Sequence, residues 1–428
     1  MSEPVLAVEP SGPVRGTVRP PGSKSYTNRA LTVAALAEGT STITNALDAD
    51  DTRYMAQALP RLGINVETRF EERRVTVHGR GGRIPAGEAD LYVGNAGTAM
   101  RFLTALVSLG HGRYRLDGSP RMRERPIGDL LRALEHLGVS ARGESSGGEC
   151  PPVVVEATGL GGGEVNLPGS VSSQYLSALL MVAPCAREPL TIQVEGELVS
   201  EGYVDMTLAV MAAFGIEAER EGYARFTVPV GRPYQATDYQ VEVDASSASY
   251  FFAAAAITGG TVRVAGIDMS SLQRDLQLVD VLEAMGCRVG RGERFVEVTG
   301  DDLHGVTCDM NAMSDMVPTL AAVAGFAQGR TQITNVAHLR YKETDRLRAV
   351  ATELRRLGGQ VQESDDGLLV EPGGLHGATV ETYGDHRMAM SMSLVGLRVP
   401  GVRIADPGCV AKTYPDFFED LKSITTSP

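Results

Sequence analysis

One repeated pattern constrains the fold of this chain more than any other feature. Five segments have the pattern of an amphipathic helix that ends in an apolar residue and a glycine, followed by a short strand; they lie at residues 58–66, 133–139, 211–216, 282–287 and 354–359. A glycine directly after the last helical turn is a common C-cap. The copies are spaced by about 70 to 77 residues, which is longer than the units of solenoid proteins.

A second type of helix recurs with the same spacing and is apolar nearly all round, so we expect it to be buried. Its copies begin near Ala30, Met100, Tyr175, Tyr250, Val317 and Met388. A truncated sixth outer helix, at 417–421, brings both types to six copies.

Six units divide into three plus three, which predicts an α/β fold of two similar domains. We place the first domain at residues 22–240 and the second at 1–21 together with 241–428, with the opening strand 5–8 in the second. The alternative is a single α/β fold in which the resemblance between units is accidental.

Composition excludes several classes of protein. The 428 residues carry a net charge of −13, which argues against nucleic acid or an anionic membrane as partner. The acidic N-terminus does not resemble a signal peptide, and no apolar run approaches the ~18 residues that span a bilayer. The five cysteines are scattered without a C-x-x-C pair, so we expect a reducing, cytoplasmic location and neither disulfides nor a metal site.

Lysine is rare, and its positions are informative. Only four of the 40 basic residues are lysines, namely Lys24, Lys342, Lys412 and Lys422. The chain uses arginine wherever a general surface cation suffices, so a retained lysine indicates a need for a compact ammonium group. Three of the four lie in segments that stand out for other reasons.

Polar clusters precede the six buried helices, at residues 24–29, 94–101, 170–174, 244–247, 314–315 and 384–387. Helix N-termini favour anions, and six of them could be aimed at one cleft between the two domains. The serine pairs 172–173 and 246–247 could instead be plain N-caps, which we favour for the second pair. Gly94 and Gly97 could serve helix packing, but a role in exposing backbone N–H groups to a ligand is the stronger interpretation.

Two further segments carry unusual charge. Residues 121–126 hold three arginines, of which Arg121 and Arg123 could simply be solvated. Residues 338–346 precede an outer helix, where Lys342 and Arg346 should share a helical face. These patterns predict a site for small, multiply anionic substrates, with Asp315, Glu343, His386 and the lysines as candidate acids and bases. No nucleotide-binding, zinc-protease or serine-hydrolase motif is present.

Six motifs together resemble the 5-enolpyruvylshikimate-3-phosphate synthase family, from about Pro21 to Pro415. They are Pro-Gly-Ser-Lys-Ser at 21–25, Gly-Asn-Ala-Gly-Thr-Ala-Met-Arg at 94–101, Arg-Glu-Arg-Pro-Ile-Gly at 123–128, Gly-Ser-Val-Ser-Ser-Gln at 169–174, Lys-Glu-Thr-Asp-Arg at 342–346 and Asp-His-Arg-Met-Ala-Met at 385–390. The resemblance implies two domains of three βαβαββ-type repeats each, with the active site in the inter-domain cleft. It also implies an enzyme of the shikimate pathway, a target of glyphosate, without cofactor or metal. We expect the protein to be a monomer.

The family reaction joins phosphoenolpyruvate to the 5-hydroxyl of shikimate 3-phosphate and releases phosphate. The resemblance implies that Asp315 takes the hydroxyl proton, that Glu343 protonates the methylene and that Lys24 assists. The implied shikimate 3-phosphate ligands are Lys24, Ser25, Arg29, Ser172, Ser173, Gln174, Ser200, Tyr203, Asp315, His338 and Lys342. The implied phosphoenolpyruvate ligands are Lys24, Asn95, Gly97, Arg125, Gln174, Arg346, His386, Arg387 and Lys412.

Two positions depart from the usual family pattern. Phe102 stands where relatives usually carry proline, and we hypothesise that it reorients Gly97 and Thr98 and lowers glyphosate sensitivity. His338 stands where some relatives have asparagine, so binding should survive with an altered pH dependence.

Two other functions remain open on the sequence alone. The sister enzyme UDP-N-acetylglucosamine 1-carboxyvinyltransferase shares the fold, but it has a reactive cysteine in a loop where residues 111–126 have none. A non-catalytic anion-binding protein is the other alternative, and the intact Lys24, Asp315, Glu343 and Lys412 argue against it.

Overall fold

The computed structural model describes residues 4–267 and 269–427. Its contacts divide the chain into two compact units, which we call the first unit (residues 22–242) and the second unit (residues up to Pro21 and from Val243 on). The second crossing between units follows Glu242, two residues after the position expected from sequence.

The described residues form twelve α-helices, which alternate between fully buried and half-buried types as predicted. Every residue of α3, α7, α9 and α11 is buried, whereas α2, α4 and α10 each bury one face. None of these helices is long and apolar enough to cross a membrane. The bounds are α1 Lys24–Leu36, α2 Asp50–Arg61, α3 Gly97–Val107, α4 Gly128–His136, α5 Ser173–Val182, α6 Gly202–Ala213, α7 Ala245–Thr258, α8 Leu278–Ala284, α9 Val317–Ala324, α10 Arg346–Arg356, α11 His386–Gly396 and α12 Phe417–Ser423.

The strands of the described residues pair into five four-stranded sheets and one three-stranded sheet. They are β1 Val5–Ala7, β2 Arg15–Val18, β3 Glu38–Thr44, β4 Asn65–Arg69, β5 Arg74–Arg80, β6 Glu88–Tyr92, β7 His111–Asp117, β8 Ser140–Gly143, β9 Val153–Thr158, β10 Gly163–Pro168, β11 Leu190–Glu195, β12 Glu219–Glu221, β13 Arg225–Val228, β14 Asp238–Gln240, β15 Thr261–Ala265, β16 Arg288–Gly292, β17 Phe295–Thr299, β18 Thr307–Asp309, β19 Thr331–Thr334, β20 Gln360–Glu363, β21 Leu368–Glu371, β22 Thr379–Val380 and β23 Arg403–Ala405.

All five four-stranded sheets share one topology. In the second repeat of the first unit, β6 is parallel to β7, β7 is antiparallel to β9, and β9 is antiparallel to β8. One buried helix and one outer helix separate the strands in sequence, which gives the βαβαββ unit. The predicted fold of three repeats in each half of the chain is confirmed, with five complete units and a sixth that has fewer strands.

The first repeat of each unit takes one strand from a distant part of the sequence. In the first unit, β14 lies parallel to β3, with Asp238 opposite Thr42. In the second unit, β2 lies parallel to β15, with Arg15 opposite Thr261. Each crossing of the chain between units therefore runs directly from a completing strand into a buried helix, α1 or α7.

The sixth repeat has a sheet of three strands, in place of the four in each other repeat. No hairpin follows α12 within the described residues, and the opening strand β1 pairs antiparallel with β23 instead. Each unit has its own apolar core, one including the buried faces of α1, α3 and α5 and the other those of α7, α9 and α11. The polar starts of these helices carry the residues described next.

Candidate active site

Arg346 is the centre of a buried charge cluster in the second unit. It begins α10 and is only 1% exposed. Its Nε lies 2.7 Å from Asp385 Oδ2, its Nη1 2.9 Å from Asp315 Oδ1 and its Nη2 2.7 Å from Glu343 Oε2. Burial alone would lower the pKa of Arg346, but the three carboxylates outweigh burial and raise it. Three residues predicted for the site, Asp315, Glu343 and Arg346, are therefore in direct contact.

Asp315 also contacts a second arginine. Its Oδ2 lies 2.7 Å from Nη2 of Arg387, the second residue of α11. Nη1 of Arg387 donates to the Tyr250 hydroxyl at 3.3 Å. Burial would raise the pKa of Asp315, but the charges of Arg387 and Arg346 hold it well below its usual range. Asp315 is thus ionised at neutral pH, with one arginine on each oxygen.

Lys412 and His386 lie against the same carboxylates. Lys412 closes a short 3₁₀ helix (Pro407–Lys412), and its Nζ lies 3.8 Å from Oε1 of Glu343. His386 begins α11, and its Nδ1 lies 3.4 Å from Oδ1 of Asp385. Asp385 also accepts the backbone N–H of Arg387 at 2.9 Å and so caps α11. Asp385 was not among the predicted site residues, and its position directly before a buried helix was the available signal.

The sequence prediction for residues 342–346 is wrong in one respect. Lys342 and Arg346 do not share a helical face, because α10 begins only at Arg346 and Lys342 has an extended backbone (φ −84°, ψ −155°). Asp345 is the N-cap of α10, because its carboxylate accepts the N–H of Arg348 at 3.1 Å, and the helix does not extend back to Lys342. The Lys342 charge nevertheless contributes to lowering the pKa of Asp315.

His338 is buried beside these groups as a neutral imidazole. It is 3% exposed, and its Nε2 lies 2.8 Å from the Ser314 hydroxyl. Burial, together with the positive charge of Lys342, lowers the pKa of His338 to about 3. Because the ring stays neutral above this value, it can hydrogen-bond an anion but does not add a charge near neutral pH.

Ser246 is not the plain N-cap that we favoured from the sequence. Asp244 caps α7 instead, accepting the N–H of Ser247 at 2.7 Å. The Ser246 hydroxyl donates to Asp275 and accepts from Nη2 of Arg387, which lies 3.2 Å away. Asp275 was missed because it follows an ordinary polar loop, with no pattern in the sequence that marks it.

Arg29 is the corresponding buried cation of the first unit. It is 1% exposed, and its guanidinium donates to Ser25 O, Thr207 Oγ1, Ser177 Oγ and Tyr203 O at 2.7 to 3.3 Å. Burial lowers the pKa of Arg29 to about 10, so it remains charged at neutral pH. Among the described residues, none of its hydrogen-bond partners is a carboxylate. A buried charge without a counter-charge favours binding of an anion.

Arg125 belongs to a second group in this unit, with Asn95 and Gly97. Its Nη1 lies 3.0 Å from the carbonyl and 3.1 Å from the side-chain oxygen of Asn95. A Cβ atom on Gly97 would lie 2.5 Å from Nη2 of Arg125. Gly94 has φ +53°, and a Cβ there would meet the Tyr54 ring at 2.6 Å. Both glycines therefore make room for protein side chains, which supports the packing interpretation over the one we favoured.

Lys24 pairs with Asp51, a buried residue of α2, at 3.3 Å from Nζ to Oδ2. The hydroxyl of Ser172 accepts the N–H of Gln174 at 3.2 Å, so Ser172 is an N-cap of α5. Ser200 is buried with φ +55° just before α6, which carries Tyr203. The first unit thus holds its predicted residues in the first turns of α1, α3 and α5, near the start of α6 and, for Arg125, in the loop before α4.

Comparison with known proteins identifies the family. A family model described as EPSP synthase (3-phosphoshikimate 1-carboxyvinyltransferase) matches residues 8–421. The chain belongs to the EPSP synthase family. A relative named 3-phosphoshikimate 1-carboxyvinyltransferase, from Trichormus variabilis, is 52% identical over 407 residues, which are 95% of each chain. Another with this name, from Sulfurovum sp., is 49% identical over 424 residues, covering 98% of this chain and 99% of the relative.

A solved EPSP synthase from Acinetobacter baumannii shares the fold. It superimposes with a TM-score of 0.83 at 27% identity and covers 99% of this chain and 98% of its own. The resemblance drawn from the six sequence motifs is thus confirmed at the level of the family and of the fold.

The cysteines of this EPSP synthase family member are poorly suited to nucleophilic chemistry. Burial raises the pKa of the Cys150, Cys185, Cys287, Cys308 and Cys409 thiols, in all but Cys150 to about 11 or 12. A raised pKa leaves little thiolate near neutral pH. No group of three His, Cys, Asp or Glu residues that could hold a metal ion occurs in the described part of the chain.

Phe102 has a contact that the sequence did not suggest. The residue is fully buried within α3, and the Arg29 guanidinium lies 5.3 Å from the centre of its ring. The Tyr203 ring lies 5.7 Å from the same guanidinium. Arg29 is therefore positioned by two aromatic rings as well as by its hydrogen bonds.

Proposed function

We propose that this chain transfers the enolpyruvyl group of phosphoenolpyruvate to the 5-hydroxyl of shikimate 3-phosphate and releases phosphate, as in the shikimate pathway to aromatic amino acids. The relatives named 3-phosphoshikimate 1-carboxyvinyltransferase support this activity. The observation that carries the proposal is the pair Asp315 and Glu343. Each carboxylate contacts Arg346, but Asp315 also contacts Arg387 and Glu343 also contacts Lys412.

The reaction needs one base and one acid. The 5-hydroxyl oxygen bonds to C2 of phosphoenolpyruvate as it loses its proton, and C3 gains a proton. Loss of phosphate from C2 and of a proton from C3 then restores the double bond. We assign the hydroxyl proton to Asp315 and the proton on C3 to Glu343, with Lys24 assisting. The distinct cation partners of the two carboxylates support distinct roles.

Substrate anions would compete with Asp315 for its arginines. Without substrate, Arg346 and Arg387 keep the Asp315 carboxylate ionised. They lower its pKa, which makes Asp315 a weak base. A phosphate or carboxylate of phosphoenolpyruvate on the same guanidiniums would loosen that hold, and the pKa of Asp315 would rise. Binding of phosphoenolpyruvate and activation of the base would then be coupled.

The cations of both units are assigned to the two substrates. Arg29, with its neutral partners, is suited to the phosphate of shikimate 3-phosphate, and we assign Ser25, Ser172, Ser173, Ser200, Tyr203, His338 and Lys342 to the same molecule. Arg125 with Asn95 and Gly97, and Arg346, Arg387, His386 and Lys412, are assigned to phosphoenolpyruvate, while Lys24 and Gln174 serve both. Two substrates with a phosphate and a carboxylate each require this many donors.

We also propose that the protein acts as a monomer in the cytoplasm. All assigned groups belong to one chain, so no partner subunit is needed to supply any of them. All five cysteines are free, which fits a reducing compartment. Light scattering after size exclusion, at micromolar protein, would give a single species near 45.4 kDa.

Phosphate release tests the proposed function. The wild type should release phosphate with phosphoenolpyruvate plus shikimate 3-phosphate and none with phosphoenolpyruvate plus UDP-N-acetylglucosamine. Asp315→Asn should lower kcat by about 10²- to 10⁴-fold, the usual range for a lost acid–base group. Asp301→Asn, at an exposed carboxylate, is the matched control. Binding of both substrates without phosphate release would favour the non-catalytic alternative.

A further inference from the structure

We propose that Asp275 and Ser246 are positioning residues that fix the Arg387 guanidinium for phosphoenolpyruvate. This inference rests on the proposed function, in which Arg387 binds that substrate. Neither residue belongs to the set of groups assigned to substrate, and both are more than nine-tenths buried.

The hydrogen bonds form a directed relay. Nη2 of Arg387 donates to Ser246 Oγ at 3.2 Å, and the Ser246 hydroxyl donates its single proton to Oδ2 of Asp275. Because Asp275 accepts that proton, a lone pair of Ser246 is left to face the arginine. Without this acceptor the hydroxyl could rotate and present its proton to the guanidinium, which cannot accept it.

The relay contacts the same nitrogen of Arg387 as its catalytic partner does. Nη2 also donates to Asp315 at 2.7 Å, and Nη1 donates to the Tyr250 hydroxyl at 3.3 Å. Ser246 and Tyr250 both belong to α7, four residues apart and hence on one helical face. When substrate anions draw Arg387 away from Asp315, these contacts from α7 would keep the guanidinium in place.

The segment that carries Asp275 is itself fixed to the start of α7. Gln273, which is 6% exposed, accepts the N–H of Ala245 at 3.0 Å and donates to the carbonyl of Val243 at 2.8 Å. Asp275 follows in a short 3₁₀ helix, Arg274–Gln277. The acceptor of the relay therefore has a defined position relative to Ser246.

The electrostatics of Asp275 agree with this geometry. Burial raises the pKa of Asp275 to about 6, the negative charge of Asp315 adds to the rise, and Arg387 opposes it. Two carboxylates thus share one guanidinium. A buried acid with a raised pKa costs stability near neutral pH, so its presence calls for a functional reason.

Four variants separate positioning from charge and from packing. Ser246→Ala removes the relay but keeps the Asp275 charge, and Asp275→Ala removes the acceptor. Asp275→Asn removes the charge but keeps an oxygen that can accept from Ser246. Ser249→Ala is the matched control, since it deletes another buried hydroxyl of α7, one that bonds only the carbonyl of Ser246 among the described residues.

Steady-state kinetics with both substrates give the first test. Positioning predicts that the KM for phosphoenolpyruvate rises about tenfold in Ser246→Ala and Asp275→Ala, the effect of losing one hydrogen bond to a charged group. The KM for shikimate 3-phosphate should change less than about threefold, and Asp275→Asn should retain most of the affinity. Ser249→Ala should match the wild type. An unchanged KM for phosphoenolpyruvate in Ser246→Ala, or an equal rise for both substrates, would overturn the proposal.

Crystal structures of the wild type and Ser246→Ala test the same point without turnover. We expect the Arg387 guanidinium to move or to occupy several positions in the variant. If the wild type released no phosphate, the proposed function would fail, but the two crystal structures would still show whether Ser246 fixes the position of Arg387. An arginine that stays in place in Ser246→Ala would overturn the positioning role whatever the kinetics show.

Discussion

A Cβ atom on Gly97 would lie 2.5 Å from Nη2 of Arg125, closer than a methyl group can approach a guanidinium. The first residue of α3 is thus a glycine because an arginine from another loop occupies the space of its side chain. Arg101 and Tyr175 hold that loop by donating to the carbonyl of Pro126, each at 2.6 Å. The position of Arg125 therefore depends on the absence of one methyl group.

Gly97→Ala should weaken phosphoenolpyruvate binding by displacing Arg125. The backbone of Gly97 is helical, so alanine introduces no backbone strain and the effect should be confined to the guanidinium. We expect the KM for phosphoenolpyruvate to rise about tenfold, with a change of less than about 1 kcal/mol in the free energy of unfolding. Gly87→Ala, where the nearest atom to a new Cβ lies 3.7 Å away, is the control. Equal kinetics for Gly97→Ala and the wild type would contradict the role of Arg125.

Arg29→Gln should separate binding from stability. The buried cation has only neutral hydrogen-bond partners in the described residues, so the folded protein bears the cost of its desolvation. We expect the KM for shikimate 3-phosphate to rise about 100-fold while the free energy of unfolding falls by less than about 1 kcal/mol. Arg142→Gln, at an exposed ion pair, should alter neither. A loss of several kcal/mol would show that Arg29 is mainly structural.

Phe102 stands where relatives of this family usually carry proline, and Phe102→Leu tests its role more cleanly than Phe102→Pro. Proline inside α3 would remove a helical hydrogen bond, at about 3 kcal/mol, and would also delete the ring. Leucine keeps the bulk but loses the cation–π contact with Arg29, worth about 1 kcal/mol, so the KM for shikimate 3-phosphate should rise about fivefold. Glyphosate inhibition curves for the wild type and Phe102→Leu test our hypothesis that Phe102 lowers glyphosate sensitivity. Identical curves would refute it.

His338→Asn should leave the pH dependence of the reaction unchanged. Burial lowers the pKa of His338 to about 3, so the imidazole is neutral across the working range. An asparagine amide can make the same bond to Ser314 without a titrating group. The pH profile of kcat/KM between about pH 5 and 9 should have both limbs in the same place. A shifted acidic limb would restore our sequence expectation of an altered pH dependence.

Asp275→Asn should stabilise the protein above pH 6. Burial raises the pKa of Asp275 from 3.8 to about 6, so between these values the folded state binds more protons than the unfolded state. Stability is therefore lost as pH rises through this window, by at most about 3 kcal/mol. Urea unfolding of the variant should show a gain of about 1 kcal/mol at pH 8 and little at pH 4. A gain that is the same at both pH values would contradict the assigned titration.

The fold could be predicted because it depends on local patterns that repeat six times. A glycine after five of the six outer helices and an apolar stretch in each buried helix are visible without any long-range contact. The pairing of β14 with β3 and of β2 with β15 could not be predicted from local patterns. Asp238 and Thr42, for example, pair across almost 200 residues. The sheet register depends on tertiary packing, which a local pattern does not encode.

The site was predictable where residue type alone limits the chemistry. The rare lysines and the charged segment 338–346 led us to Lys24, Arg346 and Lys412 as candidates. The contact between Asp275 and Ser246 was missed because it is a hydrogen bond between residues 29 positions apart. The packing role of Gly94 and Gly97 was hidden for a similar reason, since only the structure shows that Tyr54 and Arg125 fill the space beside them.

The most direct test of the central claim follows both products of one reaction by nuclear magnetic resonance. With wild-type protein, phosphoenolpyruvate and shikimate 3-phosphate, the ³¹P spectrum should show inorganic phosphate growing as phosphoenolpyruvate disappears. The ¹H spectrum should show new vinyl protons in equal amount, and Asp315→Asn should form neither product at a comparable rate. Phosphate that grows without shikimate 3-phosphate, or without an equal vinyl signal, would contradict enolpyruvyl transfer by this chain.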